Sequence, residues 1–147
     1  MLRTLFFLFL VCVCGCAQRG PAVQFVEGTV TLDGVAVADA DVSFVPKATD
    51  GIPALGKTDE NGQYRLSSAQ GGEFGRGAVT GEYDVRIIKF VDPDYVAPIN
   101  PQPGDFAPMA RPRHQLPERY SDVKTSELTA TVTRGRNKID FSLTQSP

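Results

Sequence analysis

The sequence has few of the side chains from which proteins build disulfides and metal sites. Its three cysteines lie at positions 12, 14 and 16, and it has one histidine and no tryptophan. The chain after residue 16 therefore has no thiol for a disulfide or for a thiolate zinc site. One histidine also lacks the second imidazole that many zinc sites use, so we predict neither a metal nor another cofactor. A domain of this composition has to be stabilised by its hydrophobic core.

An excess of charge and long hydrophobic runs are scarce as well. After residue 15 the chain has 14 Lys+Arg (15 less Arg3) against 17 Asp+Glu, a net charge of −3. There is no basic run, so nucleic acid is not a predicted partner. The apolar run Leu5–Val13 is shorter than the roughly 20 residues that a bilayer-spanning helix needs. The 132 residues after position 15 (147 − 15) suffice for one domain with a core.

The first residues have the order of a secretory leader. Arg3 supplies a positive charge, Leu5–Val13 is apolar, and the small residue Gly15 comes just before Cys16. This order predicts a signal peptide over residues 1–15.

The end of that leader resembles the bacterial lipobox. The residues Val13-Cys14-Gly15-Cys16 place an aliphatic residue and a small residue ahead of a cysteine. The resemblance implies that Cys16 becomes the new N-terminus and is acylated, for example with palmitate. The chain would then be anchored to the periplasmic or outer face of a membrane in the bacterial cell envelope. The alternative is an ordinary signal peptide that is cut after Gly15 or Ala17.

Beyond a short tether over residues 16–23, apolar and polar residues alternate with a period of two. This period, with Val, Ile, Thr, Tyr and Phe prominent, predicts half-buried β-strands and no long helix. Turn signals such as Asn61-Gly62 separate the runs, and residues 67–77 are predicted to form a Gly/Ser-rich loop. The strand-like runs are residues 26–32, 42–45, 54–58, 63–66, 81–90, 128–132 and 138–143. About seven short strands predict an all-β sandwich domain over residues 24–144.

One segment, residues 91–118, departs from the alternation. It contains seven of the eleven prolines, which excludes a central strand and predicts a long loop inserted in the sandwich. If the loop is a recognition surface for a peptide or carbohydrate, its candidate partner-binding residues are Tyr95, Phe106, Arg111, Arg113 and His114. The basic side chains of this region, together with Arg119, alternatively meet anionic headgroups or cell-wall polyanions, or are simply solvated.

Several stretches of the chain resemble the carboxypeptidase regulatory-like family. They are Val26–Gly34, Ala40–Pro46, Thr58–Leu66 and Gly81–Val85. Two further stretches, Leu116–Asp122 and Thr125–Thr129, resemble a recurring segment of small stand-alone bacterial lipoproteins of this family. The resemblance implies a seven-stranded antiparallel, transthyretin-like (prealbumin-like) β-sandwich. It rests on turn and core residues, so it carries the fold rather than an activity.

Two motifs allow a structural and a functional interpretation. Asp59-Glu60-Asn61-Gly62 is too short for the twelve-residue EF-hand calcium loop, and we interpret it as a tight turn. Tyr83 is interpreted as a core tyrosine whose hydroxyl bonds to nearby backbone, rather than as a ligand contact.

Catalytic clusters are not apparent in the sequence. The chain has neither the histidines of hydroxyisourate hydrolases nor the zinc-binding motif of carboxypeptidases, so no catalytic residue is assigned and we predict that the chain is not an enzyme. The predicted function is that of a lipid-anchored envelope lipoprotein with a structural or interaction module. Its expected partners are the membrane, through the lipid, and an envelope protein or glycan.

Overall fold

The computed structural model describes residues 22–70, 73–91 and 113–146, and they form an all-β, sandwich-like arrangement. The strands are β1 (Val23–Leu32), β2 (Val35–Ala36), β3 (Asp41–Pro46), β4 (Ala54–Lys57), β5 (Gln63–Arg65), β6 (Ser67–Gln70), β7 (Glu73–Arg76), β8 (Ala78–Val79), β9 (Gly81–Ile88), β10 (Phe90–Val91), β11 (Arg113–His114), β12 (Leu128–Val132), β13 (Arg136–Lys138) and β14 (Phe141–Leu143). A 3-10 turn, Glu118–Ser121, and the one-turn helix α1, Val123–Ser126, come between β11 and β12. Within the described ranges, no helix has the length and apolar character needed to cross a membrane.

The first sheet is built around the long strand β1. Strands β2, β5 and β8 pair with it in antiparallel fashion, whereas β13 and β14 run parallel to it. These two parallel pairs differ from the wholly antiparallel arrangement that the sequence predicted. They arise because the chain crosses from β12 in the other sheet and returns beside the start of β1.

The second sheet has the order β12-β9-β3-β4-β6-β7, and all its pairs are antiparallel. Its last two strands occupy part of residues 67–77, where a loop was predicted, so that prediction is wrong. These two strands contain only one β-branched or aromatic residue, Phe74, and the backbone pairing of β6 with β4 and of β7 with β6 holds them in the sheet.

The strand directions give the sandwich two distinct ends. We call the end where β1 begins, at Val23, the start end, and the end where β1 finishes, at Leu32, the far end. Strand β9 begins at the start end, because Val79 pairs with Val23 just before β9. It therefore finishes at the far end, where β10 and β11 follow it.

The core lies between the sheets, and alternation delivers its residues as predicted. Val26 and Val30 point inward from β1, whereas Tyr83, Val85 and Ile87 point inward from β9. Four aromatic rings meet at its centre. Phe44 of β3 lies 5.7–6.3 Å, centroid to centroid, from the rings of Tyr64, Tyr83 and Phe141. Since Tyr64 and Phe141 come from the first sheet, this cluster joins the two layers.

Candidate functional site

The predicted loop is connected to the sandwich by a two-stranded ribbon at the far end. In this ribbon β10 pairs with β11, so that Phe90 lies opposite His114 and Val91 opposite Arg113. The Phe90 and His114 rings are 4.5 Å apart at their centroids. Phe90 remains 47% exposed, and Arg113 and His114 are exposed as well. Of the candidate partner-binding residues, these two are therefore brought together beside an exposed aromatic ring.

The remaining site predictions fall on residues that the structure does not describe. Cys16 precedes the described residues, and Tyr95, Phe106 and Arg111 lie between Val91 and Arg113. Lipidation and a binding role for these three loop residues remain predictions.

The segment after the ribbon returns the chain to the core rather than continuing the loop. Leu116 and Tyr120 are buried, although the sequence placed Leu116 in the long loop. The Asp122 carboxylate accepts a hydrogen bond from the backbone N–H of Lys124 and so caps α1. Ser126, also buried, donates to the carbonyl oxygen of Val85 at 2.5 Å. We call residues 116–127 the return segment.

Arg119 fastens this return segment to the C-terminal residues. Its Nη2 lies 2.9 Å from the carbonyl oxygen of Ser146 and 3.0 Å from the hydroxyl of Thr144. Its guanidinium also stacks on the Tyr120 ring, 4.6 Å from the centroid. The Arg119 guanidinium is thus hydrogen-bonded within the fold, whereas Arg113 and His114 are exposed on the ribbon.

The Asp59–Gly62 motif is a turn, as predicted. The Asp59 carboxylate accepts hydrogen bonds from the backbone N–H groups of Asn61 and Gln63, both at 2.9 Å. Gly62 has a φ of 73°, a conformation that glycine adopts without a steric penalty. The sequence reasoning identified the glycine turn but not the part played by the Asp59 carboxylate.

Two buried tyrosines use their hydroxyl groups to hold backbone. Tyr83 donates to the carbonyl oxygen of Val79 at 2.7 Å, which confirms the predicted tie to nearby backbone. Tyr64 donates to the carbonyl oxygen of Ile139, also at 2.7 Å. Burial, together with the nearby Asp140 charge, raises the pKa of Tyr64 far above its usual value near 10. Both hydroxyl groups are therefore neutral hydrogen-bond donors at physiological pH.

A polar groove of about 560 Å³ lies at β5 and β1, with walls that mix charges of both signs. Its lining residues are Glu27, Gly28, Thr29, Lys57, Asp59, Gln63, Tyr64, Arg65 and Lys138. The three cationic lining groups each have a partner: Arg65 lies 3.6 Å from Glu27, Lys57 lies 3.4 Å from Asp39, and Lys138 lies 3.7 Å from Asp140. The groove therefore offers a hydrogen-bonding surface with three cations and two carboxylates in its lining.

The backbone around this groove is closely packed. A Cβ atom added to Gly28 would lie 1.7 Å from the carbonyl oxygen of Ile139, so only glycine fits there. The Asp140 carboxylate accepts a hydrogen bond from the Thr29 N–H at 2.8 Å, in the gap between β13 and β14. No local pattern indicates this groove, because β5 and β13 meet β1 only through long-range pairing.

The described residues contain no group of three or more His, Cys, Asp or Glu side chains arranged to hold a metal ion. Comparisons with protein-family models, with curated proteins and with solved structures find no match to this chain.

Proposed function

We propose that this chain is a lipid-anchored lipoprotein of the bacterial cell envelope whose β-sandwich is a non-enzymatic structural or interaction module. In this proposal Cys16 carries the acyl chains, and the sandwich is a seven-stranded, transthyretin-like domain of the carboxypeptidase regulatory-like family. The partners are the membrane, through the lipid, and an envelope protein or glycan. The lipobox-like residues Val13–Cys16 support the anchor.

The observation that supports a scaffold role is how the polar groups in and around the core are used. The hydroxyls of Tyr64, Tyr83 and Ser126 each donate to a backbone carbonyl. The Asn137 amide closes the turn between β12 and β13 by bonding to backbone atoms of Thr133 and Phe25. These groups hold strands and turns in place, which is what a presenting framework requires.

The test of the anchor is mass spectrometry of the mature N-terminus. The expected result is a chain that begins at Cys16 and carries the added mass of acyl chains. An unmodified N-terminus at Ala17 or later would contradict the proposal. The Cys16→Ser variant is expected to leave the membrane fraction.

A second candidate function is recognition of a peptide or carbohydrate through the loop at 91–118. It is favoured by the exposed Phe90 ring, which contacts the His114 ring next to Arg113, since aromatic and arginine side chains dominate interface hot spots. Affinity capture from intact envelopes tests it, with a Phe90→Ala/Arg113→Ala double variant compared with Arg86→Ala, an exposed arginine on β9. A partner lost only with the double variant supports recognition, whereas equal capture contradicts a role for the ribbon.

A further inference from the structure

Arginine side chains are concentrated at the start end of the sandwich. Arg134 and Arg136 flank the turn between β12 and β13, and both are exposed. The backbone N–H of Gly135 donates to the side-chain oxygen of Gln24 at 2.8 Å, which fixes this turn beside the start of β1. The Arg136 guanidinium lies 4.8 Å from the centroid of the Phe25 ring.

A third arginine, Arg76, borders β1 from the opposite side. It is exposed and comes just before Gly77, whose backbone packs against the carbonyl oxygen of Gln24. Gln24 thus contacts both arginine-bearing turns. We call Arg76, Arg134 and Arg136 the basic end.

The charges of the basic end have no partner within 4.0 Å among the carboxylate side chains that the structure describes. The four ion pairs found among the described residues involve other cations, such as Arg65 with Glu27 and Lys138 with Asp140. Asp50, Glu82 and Asp84 also lie at this end, but they belong to β9 and to the β3–β4 connection of the other sheet, and Asp84 pairs with Lys47. Exposed carboxylates at the far end include Asp33, Asp39, Asp59 and Glu60. Beside β1, positive charge is therefore concentrated at the start end and negative charge at the far end.

The length of the tether limits how the sandwich can stand on a bilayer. Seven residues separate Cys16 from Val23 (23 − 16), and a fully extended chain of that length reaches at most about 25 Å. Strand β1 has 10 residues and is about 33 Å long. An upright orientation with the far end on the membrane would hold Val23 beyond the reach of the tether. The start end must therefore lie near the surface to which Cys16 is anchored.

From this charge polarity and tether length, we propose that the basic end binds anionic phospholipid headgroups of the membrane that holds the lipidated Cys16. The contact orients the sandwich with its start end on the bilayer and its far end, which includes the Phe90–His114 ribbon, pointing away from it. This inference rests on the proposed anchor. Anionic headgroups attract exposed arginines within about one Debye length, and the tether allows the basic end to approach the bilayer that closely.

In this orientation the headgroups are not bound by the cluster around Arg113, which the sequence suggested for that role. Arg113 and His114 belong to the ribbon at the far end, and the Arg119 guanidinium is engaged with Thr144 and Ser146. The arginines that meet headgroups are instead those beside Gln24.

The experiment measures the distance of each end from the bilayer in the full acylated protein. The chain has no cysteine after Cys16, so a single introduced cysteine carries a donor dye, either at Thr80 (the start end) or at Glu60 (the far end). The protein is reconstituted into phosphatidylcholine vesicles, with and without phosphatidylglycerol, that contain an acceptor-labelled lipid. We expect energy transfer to rise at Thr80 and to fall at Glu60 when phosphatidylglycerol is present.

A triple Arg76→Gln/Arg134→Gln/Arg136→Gln variant is expected to lose this response to phosphatidylglycerol. The matched control removes three positive charges elsewhere, with Lys57→Gln/Arg86→Gln/Lys124→Gln, and is expected to keep it. Thermal melting of both variants checks that they are folded. A response that is equal in both variants, or absent from the unsubstituted protein, would overturn the proposal.

Two further measurements need no substitution in the basic end. Because the Debye length falls from about 8 Å at 0.15 M salt to about 3 Å at 1 M, high salt should abolish the phosphatidylglycerol response. Flotation with phosphatidylcholine vesicles reports the anchor separately. Protein that floats without a preferred orientation contradicts only the basic end, whereas protein that does not float contradicts the anchor and the orientation that rests on it.

Discussion

Two buried serines in this sandwich differ in whether their hydroxyl group is hydrogen-bonded. Ser68 of β6 is 1% exposed, and its Oγ has no hydrogen-bond partner among the residues that the structure describes. Ser126 is also buried, but its Oγ donates to the Val85 carbonyl and so fastens α1 to β9. A buried hydroxyl without a partner costs about 1–3 kcal/mol, whereas a satisfied one contributes about 1 kcal/mol.

The two serines should therefore respond in opposite directions to the same substitution. Ser68→Ala is expected to raise the free energy of unfolding by about 1 kcal/mol, because it removes an unpaired polar group. Ser126→Ala is expected to lower it by about 1–3 kcal/mol, because the Val85 carbonyl loses its donor. Urea unfolding measures both. A loss of equal size in both variants would mean that Ser68 has a partner in solution.

Tyr64 is expected to make the sandwich sensitive to alkali. Its pKa is raised by burial and by Asp140, so the folded protein keeps this proton at a pH where the unfolded chain releases it. The stabilisation that this raised pKa provides is fully present below pH 10 and is lost as the pH rises above 10. The free energy of unfolding then falls by up to about 1.4 kcal/mol per pH unit. Denaturant unfolding between pH 8 and about 12 measures this slope.

The control for this prediction is Tyr64→Phe. At neutral pH the variant should lose about 1 kcal/mol, because the Ile139 carbonyl loses its hydrogen bond. Above pH 10 its stability should fall less steeply than that of the unsubstituted protein. Parallel curves would show that the hydroxyl ionises normally in the folded state.

Residues whose role depends on near neighbours were the ones that the sequence predicted correctly. The Asp59–Gly62 turn lies within four residues, and Tyr83 bonds to Val79 four residues earlier. Arg119 was assigned to a solvated or headgroup-binding cluster because its partners, Thr144 and Ser146, are about 25 residues away in sequence. Nothing local in the sequence indicates such a pairing.

The strands that the sequence predicted correctly also have a clear local pattern, whereas those that it missed depend on long-range pairing. The alternation of β1, β3, β9 and β12 placed their inward residues correctly, since one face of each strand is apolar and buried. Strands β6 and β7 were missed, because they contain only one β-branched or aromatic residue, Phe74, and their pairing, rather than their side chains, makes them strands. The polar groove was missed for a related reason, as it needs β5 beside β1.

We predict that residues 92–112, between β10 and β11, are not needed for folding. The β10–β11 ribbon holds Val91 opposite Arg113, on either side of residues 92–112, and the return segment that follows buries Leu116. Replacing residues 92–112 with a short Gly/Ser linker should therefore leave the thermal midpoint nearly unchanged, since loop length changes closure entropy by only about 0.6 kcal/mol per doubling. Calorimetry or circular dichroism measures the midpoint.

Leu116→Ala provides the matched comparison for that replacement. It lies just beyond the ribbon and is 5% exposed, so truncation should cost about 2–5 kcal/mol. Unfolding of the linker variant would show instead that residues 92–112 cover a sheet face or edge, in which case their prolines would guard that edge against association.

At the scale of the whole molecule, the two sheets are expected to unfold together. Phe44 belongs to the second sheet and Phe141 to the first, and their rings meet edge to face at 6.0 Å. Each side chain therefore contributes to the packing of both layers. A small domain with one such core usually unfolds in a single transition.

Truncating either ring tests this expectation. Phe44→Ala and Phe141→Ala should each lower the free energy of unfolding by about 3–5 kcal/mol, because each leaves a cavity between the sheets. The exposed Glu82→Ala should stay within about 0.5 kcal/mol. Because the chain has no tryptophan, far-UV circular dichroism is compared with the fluorescence of its four tyrosines. Coincident curves in both variants indicate one cooperative core, whereas a Phe141→Ala variant whose two signals separate would mean that the β1 sheet unfolds independently of the other.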